Sequence, residues 1–67
     1  DFDNARSYFE KVINLNSKHA MAELGLAKVY KALNDKEKYL DHLRRAQDLE
    51  PKNSEILKEV STIQSTN

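Results

Sequence analysis

The sequence predicts an all-α fold of about four antiparallel helices, and three observations carry that expectation. The chain has 67 residues with one glycine and one proline, and 33% of its residues are charged. That composition suits helices rather than turn-rich β structure. Apolar residues recur at steps of three and four over four separate stretches, which is the spacing of one helix face. Only two to four residues separate the stretches, and connections so short force neighbouring helices into antiparallel hairpins.

The first helix is expected over Phe2–Leu15, with Phe2, Ala5, Phe9, Val12 and Leu15 on one face and Tyr8 and Ile13 beside them. Asn16-Ser17-Lys18 ends it. Ser17 is a candidate cap for the next helix, because its hydroxyl can accept from an unpaired N–H of the first turn. The second helix is expected from about Ala20 to Leu33, striped by Ala22, Leu26, Val29, Tyr30 and Leu33 and widened by Ala20, Leu24 and Ala27. Asn34 tolerates the left-handed conformation of a helix end, and Asp35 can cap the start that follows. The third helix is expected over Lys36–Leu49 through Tyr39, Leu40, Leu43, Ala46 and Leu49. Pro51 has no N–H to donate and pushes Glu50 out of helical geometry, so the helix stops there. Asn53 or Ser54 caps the fourth, from about Ser54 to Gln64, which carries Ile56, Leu57, Val60 and Ile63. The closing Ser65-Thr66-Asn67 is expected to be loose.

Composition excludes several classes of function. Eleven basic and 11 acidic side chains give a net charge of zero, so nothing steers the chain toward polyanions or an anionic membrane. With no cysteine there is no disulfide framework and no zinc–thiolate site. No apolar run approaches the roughly 20 residues that span a bilayer, and no signal-peptide pattern is present. These features point to an intracellular, cytoplasmic location. A chain this small has a marginal core, and it opens at Asp1-Phe2-Asp3 rather than at a methionine. It reads as a piece of a longer protein.

The helices repeat. A shift of 34 residues sets Ala5 on Tyr39, Phe9 on Leu43, Val12 on Ala46, Ala22 on Ile56, Leu26 on Val60 and Val29 on Ile63. The breaks align too, Asp1 on Asp35 and Ser17 on Pro51. Leu26-Ala27 followed by Tyr30, the Asn34-Asp35 turn, and Leu43, Ala46 and Pro51 complete a pattern that resembles the tetratricopeptide repeat. The chain departs from that family's pattern at Tyr39, where alanine is preferred, at Ser17, which replaces a proline, and at Glu23, where an aromatic is common. The resemblance implies hairpins stacked as a right-handed α-solenoid within a single fragment, 1–67. Residues 1–16 would be the second helix of one unit and 18–51 one complete helix-turn-helix unit. Residues 53–65 would be the first helix of a next unit or a closing helix. One hairpin cannot bury its own stripe, so Phe2, Tyr8 and Ile13 are expected to be partly exposed, with self-association through the open repeat ends.

Little in the chain suggests catalysis. His19 and His42 lie on different helices without matched metal-ligand spacing and read as solvated or capping residues. Glu55 and Glu59 could form an acid/base couple at i, i+4, but with Lys52 and Lys58 nearby they read as a solvated face. No serine–histidine motif is present, and a single glycine cannot build a phosphate loop. The chain is read as no enzyme, with no cofactor and no metal site. Arg44-Arg45 with Lys28, Lys31, Lys36 and Lys38 is a basic stretch, and related helical repeats read RNA one base per repeat. Asp35, Glu37, Asp41 and Asp48 interleave with it, however, and Asp41–Arg45 and Arg44–Asp48 are expected as i, i+4 pairs.

The resemblance implies a non-enzymatic interaction scaffold whose stacked first helices hold a peptide or helix of a partner protein. Carried over, that face would present Met21, Leu24, Lys28, Lys31, Glu55, Lys58, Glu59 and Thr62. Met21 and Leu24 would offer an adaptable apolar contact or else simply face the next helix. Family members that grip a C-terminal carboxylate use a Lys, Asn and Arg set that is not matched here. The alternative reading is an architectural or oligomerisation segment of a larger repeat protein, and the third is an RNA-binding repeat.

Overall fold

The computed structural model describes residues 1–65, with side chains described to Ile63. The expectation for Thr66 and Asn67 lies outside the described residues, and Ser65 is the last residue of a helix. Four helices follow one another: α1 (Phe2–Leu15), α2 (Ala20–Ala32), α3 (Lys36–Leu49) and α4 (Ser54–Ser65). No strand occurs among the described residues. The boundaries carry the repeat. Both ends of α3 lie 34 residues after those of α1 (Phe2 and Lys36, Leu15 and Leu49), and α4 starts 34 residues after α2 (Ala20 and Ser54).

Local chemistry sets most of these ends. Asp1 Oδ1 accepts from the Asp3 N–H at 3.0 Å, and Asp35 Oδ1 accepts from the Lys38 N–H at 3.2 Å. Asn53 Oδ1 accepts from the N–H groups of Glu55 and Ile56 at 2.9 and 3.2 Å. Each satisfies first-turn donors that have no intrahelical partner. At the end of α2, Asn34 adopts φ 62°. The Asp35 N–H reaches back to the Tyr30 carbonyl at 2.9 Å and the Asn34 N–H to that of Lys31 at 3.1 Å, a left-handed cap that closes the helix. It also makes Leu33 the capping residue rather than part of the helix. The cap expected at Ser17 is at His19 instead, whose Nδ1 accepts from the Ala22 N–H at 3.1 Å. Ser17 lies too early in the chain, since α2 opens at Ala20.

Packing centres on α2. It carries buried residues on nearly every side, among them Ala20, Leu24, Leu26, Ala27, Val29 and Tyr30. A helix that is apolar all round is one enclosed by others, and α2 lies between α1 and α3. Ala27 and Ala46 are wholly buried in the same core cluster. Their small side chains let the helices approach closely, and extra methylenes there would force strain. Ile56, with no exposed surface, anchors α4, and full burial of such a side chain contributes about 1.5–3 kcal/mol. In α1 no residue is fully buried. Phe9 and Ile13 pack on the core from its edge, while Phe2 and Tyr8 stand exposed.

The single glycine has a packing reason. An added Cβ at Gly25 would lie 2.5 Å from Phe9 Cζ and 2.6 Å from Cε1. Gly25 is the dent in α2 that seats the Phe9 ring of α1.

Candidate binding face

With α1 and α3 covering it, α2 leaves a narrow strip of surface formed by Met21, Lys28, Lys31 and Ala32. Met21 and Lys28 are two turns apart, hence on one line along the helix. Two contacts tie this strip to α4. At one end the amide of Asn53 lies 3.7 Å from Met21 Sδ while also donating to Glu50 at 2.8 Å. At the other, Lys31 Nζ lies 2.9 Å from Glu59 Oε2.

The Lys31 end is the more strongly organised. Tyr39 of α3 donates its hydroxyl to the same Glu59 oxygen at 2.6 Å, and Lys31 Nζ lies 5.6 Å from the centre of the Tyr39 ring. Three helices therefore converge on one carboxylate, whose side chain is only 12% exposed. The hydrogen bond from Tyr39 holds the Glu59 carboxyl below its ordinary value, burial opposes that, and Lys31 with Lys28 reinforces it. Conversely, burial and then Glu59 push the Tyr39 phenol up to about 12. Beside this junction an open groove of about 360 Å³ runs between the ends of α2 and α4 and the start of α3. Tyr39, Leu40 and Ile63 give its floor, and Lys31, Asn34, Lys36 and Thr62 its rim.

The expected face is thus only partly assembled as a surface. Met21, Lys28, Lys31, Glu55, Lys58 and Thr62 are exposed. Leu24 is in the core at 2% exposure and offers a partner nothing, which follows the packing alternative for that residue. Glu59 departs from a solvated carboxylate face, since it bonds Lys31 and Tyr39 while Glu55 stays exposed. Thr62 lies on the groove rim and donates to the Glu59 carbonyl at 2.7 Å.

Two residues outside this face also differ from expectation. His42 neither caps a helix nor is solvated. Its Nδ1 lies 2.7 Å from Oε1 of Glu23, a carboxylate 4% exposed as a residue, and its ring stacks on Tyr30 at 5.5 Å. Glu23 thus fills a site where the repeat pattern carries an aromatic, and His42 supplies the polar partner that makes its burial tolerable. On α3, Asp41 pairs with Arg45 at 3.0 Å, but among the described residues no ion pair joins Arg44 to Asp48. Nothing in the sequence signalled the partners of Glu23 and Tyr39, because both contacts join residues about twenty positions apart.

Among the described residues no helix is long and apolar enough to cross a membrane. A family model described as tetratricopeptide repeat matches residues 1–19 and 24–53, most of the chain. None of the curated proteins and none of the solved structures compared with the chain matches it.

Proposed function

The chain belongs to the tetratricopeptide repeat family, and from that premise we propose that it is a scaffold that holds a peptide or helix of a partner protein along α2 and α4. Repeats of this family are generally protein–protein interaction modules and typically non-enzymatic. In this reading α2 and α3 are one complete unit, α1 is the second helix of the preceding unit and α4 the first helix of the next.

One observation carries the proposal: α2 is enclosed except for the strip that adjoins α4. That strip combines a flexible methionine, which adapts to an apolar partner side chain, with Lys28, for which no ion pair occurs among the described residues. Lys31 is held toward Glu59, so on α2 it is Lys28 that can meet a partner's carboxylate. The favoured partner is a segment with an apolar residue about two helical turns' length from an acidic one.

The proposal is tested by selecting binders from a displayed library of random peptides and titrating the best one calorimetrically. Met21→Ser and Lys28→Glu should each weaken binding by about tenfold or more, a loss of roughly 1.4 kcal/mol, while Arg44→Glu on α3 should leave it unchanged. Equal binding by all four proteins would refute the assignment of this face.

A further inference from the structure

We propose that Tyr39 is a positioning residue for the α2–α4 face: by holding Glu59 inward against Lys31, it leaves Lys28 open to an acidic partner and so sets the charge that the face accepts. This role rests on the binding face proposed above. Tyr39 itself, 6% exposed, lies too deep to meet a partner.

Tyr39 and Glu59 occur together at one junction of the repeat and are missing together from the other. The 34-residue shift carries Tyr39 back to Ala5 and Glu59 back to Gly25. Alanine is what the repeat pattern prefers at the Tyr39 position, so the fold alone does not call for a phenol there. What the phenol gains is a charged acceptor. Its hydroxyl donates to Glu59 Oε2 at 2.6 Å, and a hydrogen bond to an ionised group is short and strong. The same oxygen accepts from Lys31 Nζ at 2.9 Å, and that ammonium lies 5.6 Å from the centre of the Tyr39 ring. Tyr39 thus touches both members of the Lys31–Glu59 pair, one through its hydroxyl and the other over its ring face.

The consequence for the face lies in Lys28. The Tyr39 bond does most to keep the Glu59 carboxyl ionised, and the charges of Lys31 and then Lys28 add to it against the opposing effect of burial. The field of Lys28 therefore reaches Glu59, yet among the described residues no ion pair joins the two. Without the Tyr39 hydroxyl, Glu59 loses the bond that fixes its side chain inward at 12% exposure. It is then free to turn toward water and Lys28. A carboxylate on the same molecule acts at a high effective concentration, so it competes with a partner's carboxylate for that ammonium. The device is complete within α2, α3 and α4, whatever lies before or after the chain.

Two measurements test this, one of them with no partner present. Limiting acetylation of the folded chain by acetic anhydride, read by mass spectrometry of its fragments, should label Lys28 about threefold faster than Lys31, the scale of a partly exposed ion pair. In Tyr39→Phe, Lys28 should slow until that advantage disappears. In Glu59→Gln, which keeps an acceptor for the hydroxyl but no charge, Lys31 should quicken to match Lys28. Helical circular dichroism checks that each variant folds. The second measurement compares a selected peptide with the same peptide carrying an amide in place of its acidic side chain. The native chain should prefer the acid by about three- to fivefold. Tyr39→Phe should lose that preference, and Glu59→Gln should raise it because two lysines are then open. Combining Tyr39→Phe with Glu59→Gln should match Glu59→Gln alone. A tyrosine that only supports packing would instead weaken both peptides alike in either background, and that result overturns the proposal. Unchanged labelling of Lys28 in Tyr39→Phe, or of Lys31 in Glu59→Gln, also overturns it and leaves the binding face standing. A native chain with no preference for the acid, despite the expected labelling, overturns the face itself and the role of Tyr39 with it.

Discussion

The Tyr39 hydroxyl lies 2.6 Å from Glu59 Oε2, joining the start of α3 to the middle of α4. Lys31 of α2 reaches the same oxygen at 2.9 Å. The junction matters because it ties α4 to both α2 and α3 through one carboxylate. Tyr39→Phe keeps the ring and removes the hydrogen bond to a charged acceptor. It should cost about 1.5–3 kcal/mol in a urea titration. Lys31→Met should cost less, about 0–1 kcal/mol, because the lysine is half exposed and its pairing is screened by solvent. Equal costs would show that the tyrosine is not the principal tie.

The same junction sets a pH dependence. Glu59 titrates below its ordinary value in the folded state, chiefly through the Tyr39 bond. A depressed folded value means that this stabilisation is present above the unfolded Glu range and is lost as pH falls through the folded value. On the alkaline side the Tyr39 phenol is raised to about 12 from 10.0. Its contribution is complete below the unfolded value and is lost as pH climbs toward the folded one. Urea midpoints measured across acid and alkaline pH should fall at both extremes, and Tyr39→Phe should flatten both limbs.

Gly25→Ala should reverse sign with its neighbour. Alanine in a helix interior is favoured over glycine by roughly 1 kcal/mol, but here its Cβ would meet the Phe9 ring at 2.5 Å. In the native chain the substitution should destabilise by about 1–3 kcal/mol through overpacking. In a Phe9→Ala background it should stabilise by about 0.5–1 kcal/mol. A double-mutant cycle with no coupling would mean that the ring does not rest on that glycine.

The buried Glu23 is tolerated because His42 bonds it at 2.7 Å. His42→Ala should leave that carboxylate without its partner and cost about 1–3 kcal/mol, and His42→Phe should cost a similar amount even though it keeps a ring against Tyr30. Changing both residues to Leu and Phe should recover much of the loss, since replacing both members of a buried polar pair is often near neutral. Thermal melts of the single and double variants make the comparison.

The helices were legible because their ends rest on local chemistry. Asp35, Asn53 and Pro51 act on residues within one turn. The expectation that His19 is solvated or a cap holds in its second form, whereas Ser17, the commoner kind of cap, lies too early in the chain to serve α2. The core of α3 could be read from its single apolar stripe, and that of α2 could not. Apolar residues nearly encircle α2, so periodicity does not say which side faces out. Leu24 was accordingly placed on the candidate face, although it is 2% exposed. Tyr39 was visible as a large residue where the repeat favours a small one. The reason for it lies in Glu59, 20 residues away, and no local pattern joins the two. Gly25 was equally opaque until Phe9 was placed over it.

The central claim is that partners bind along the strip of α2 and α4. Amide chemical-shift mapping of the isotope-labelled chain, titrated with a selected peptide, tests it most directly. The expected perturbations cluster at Met21, Lys28, Glu55 and Lys58, with Asp41, Arg44 and Arg45 of α3 unchanged. Perturbations concentrated on those α3 residues, with Met21 and Lys28 unmoved, would contradict the claim.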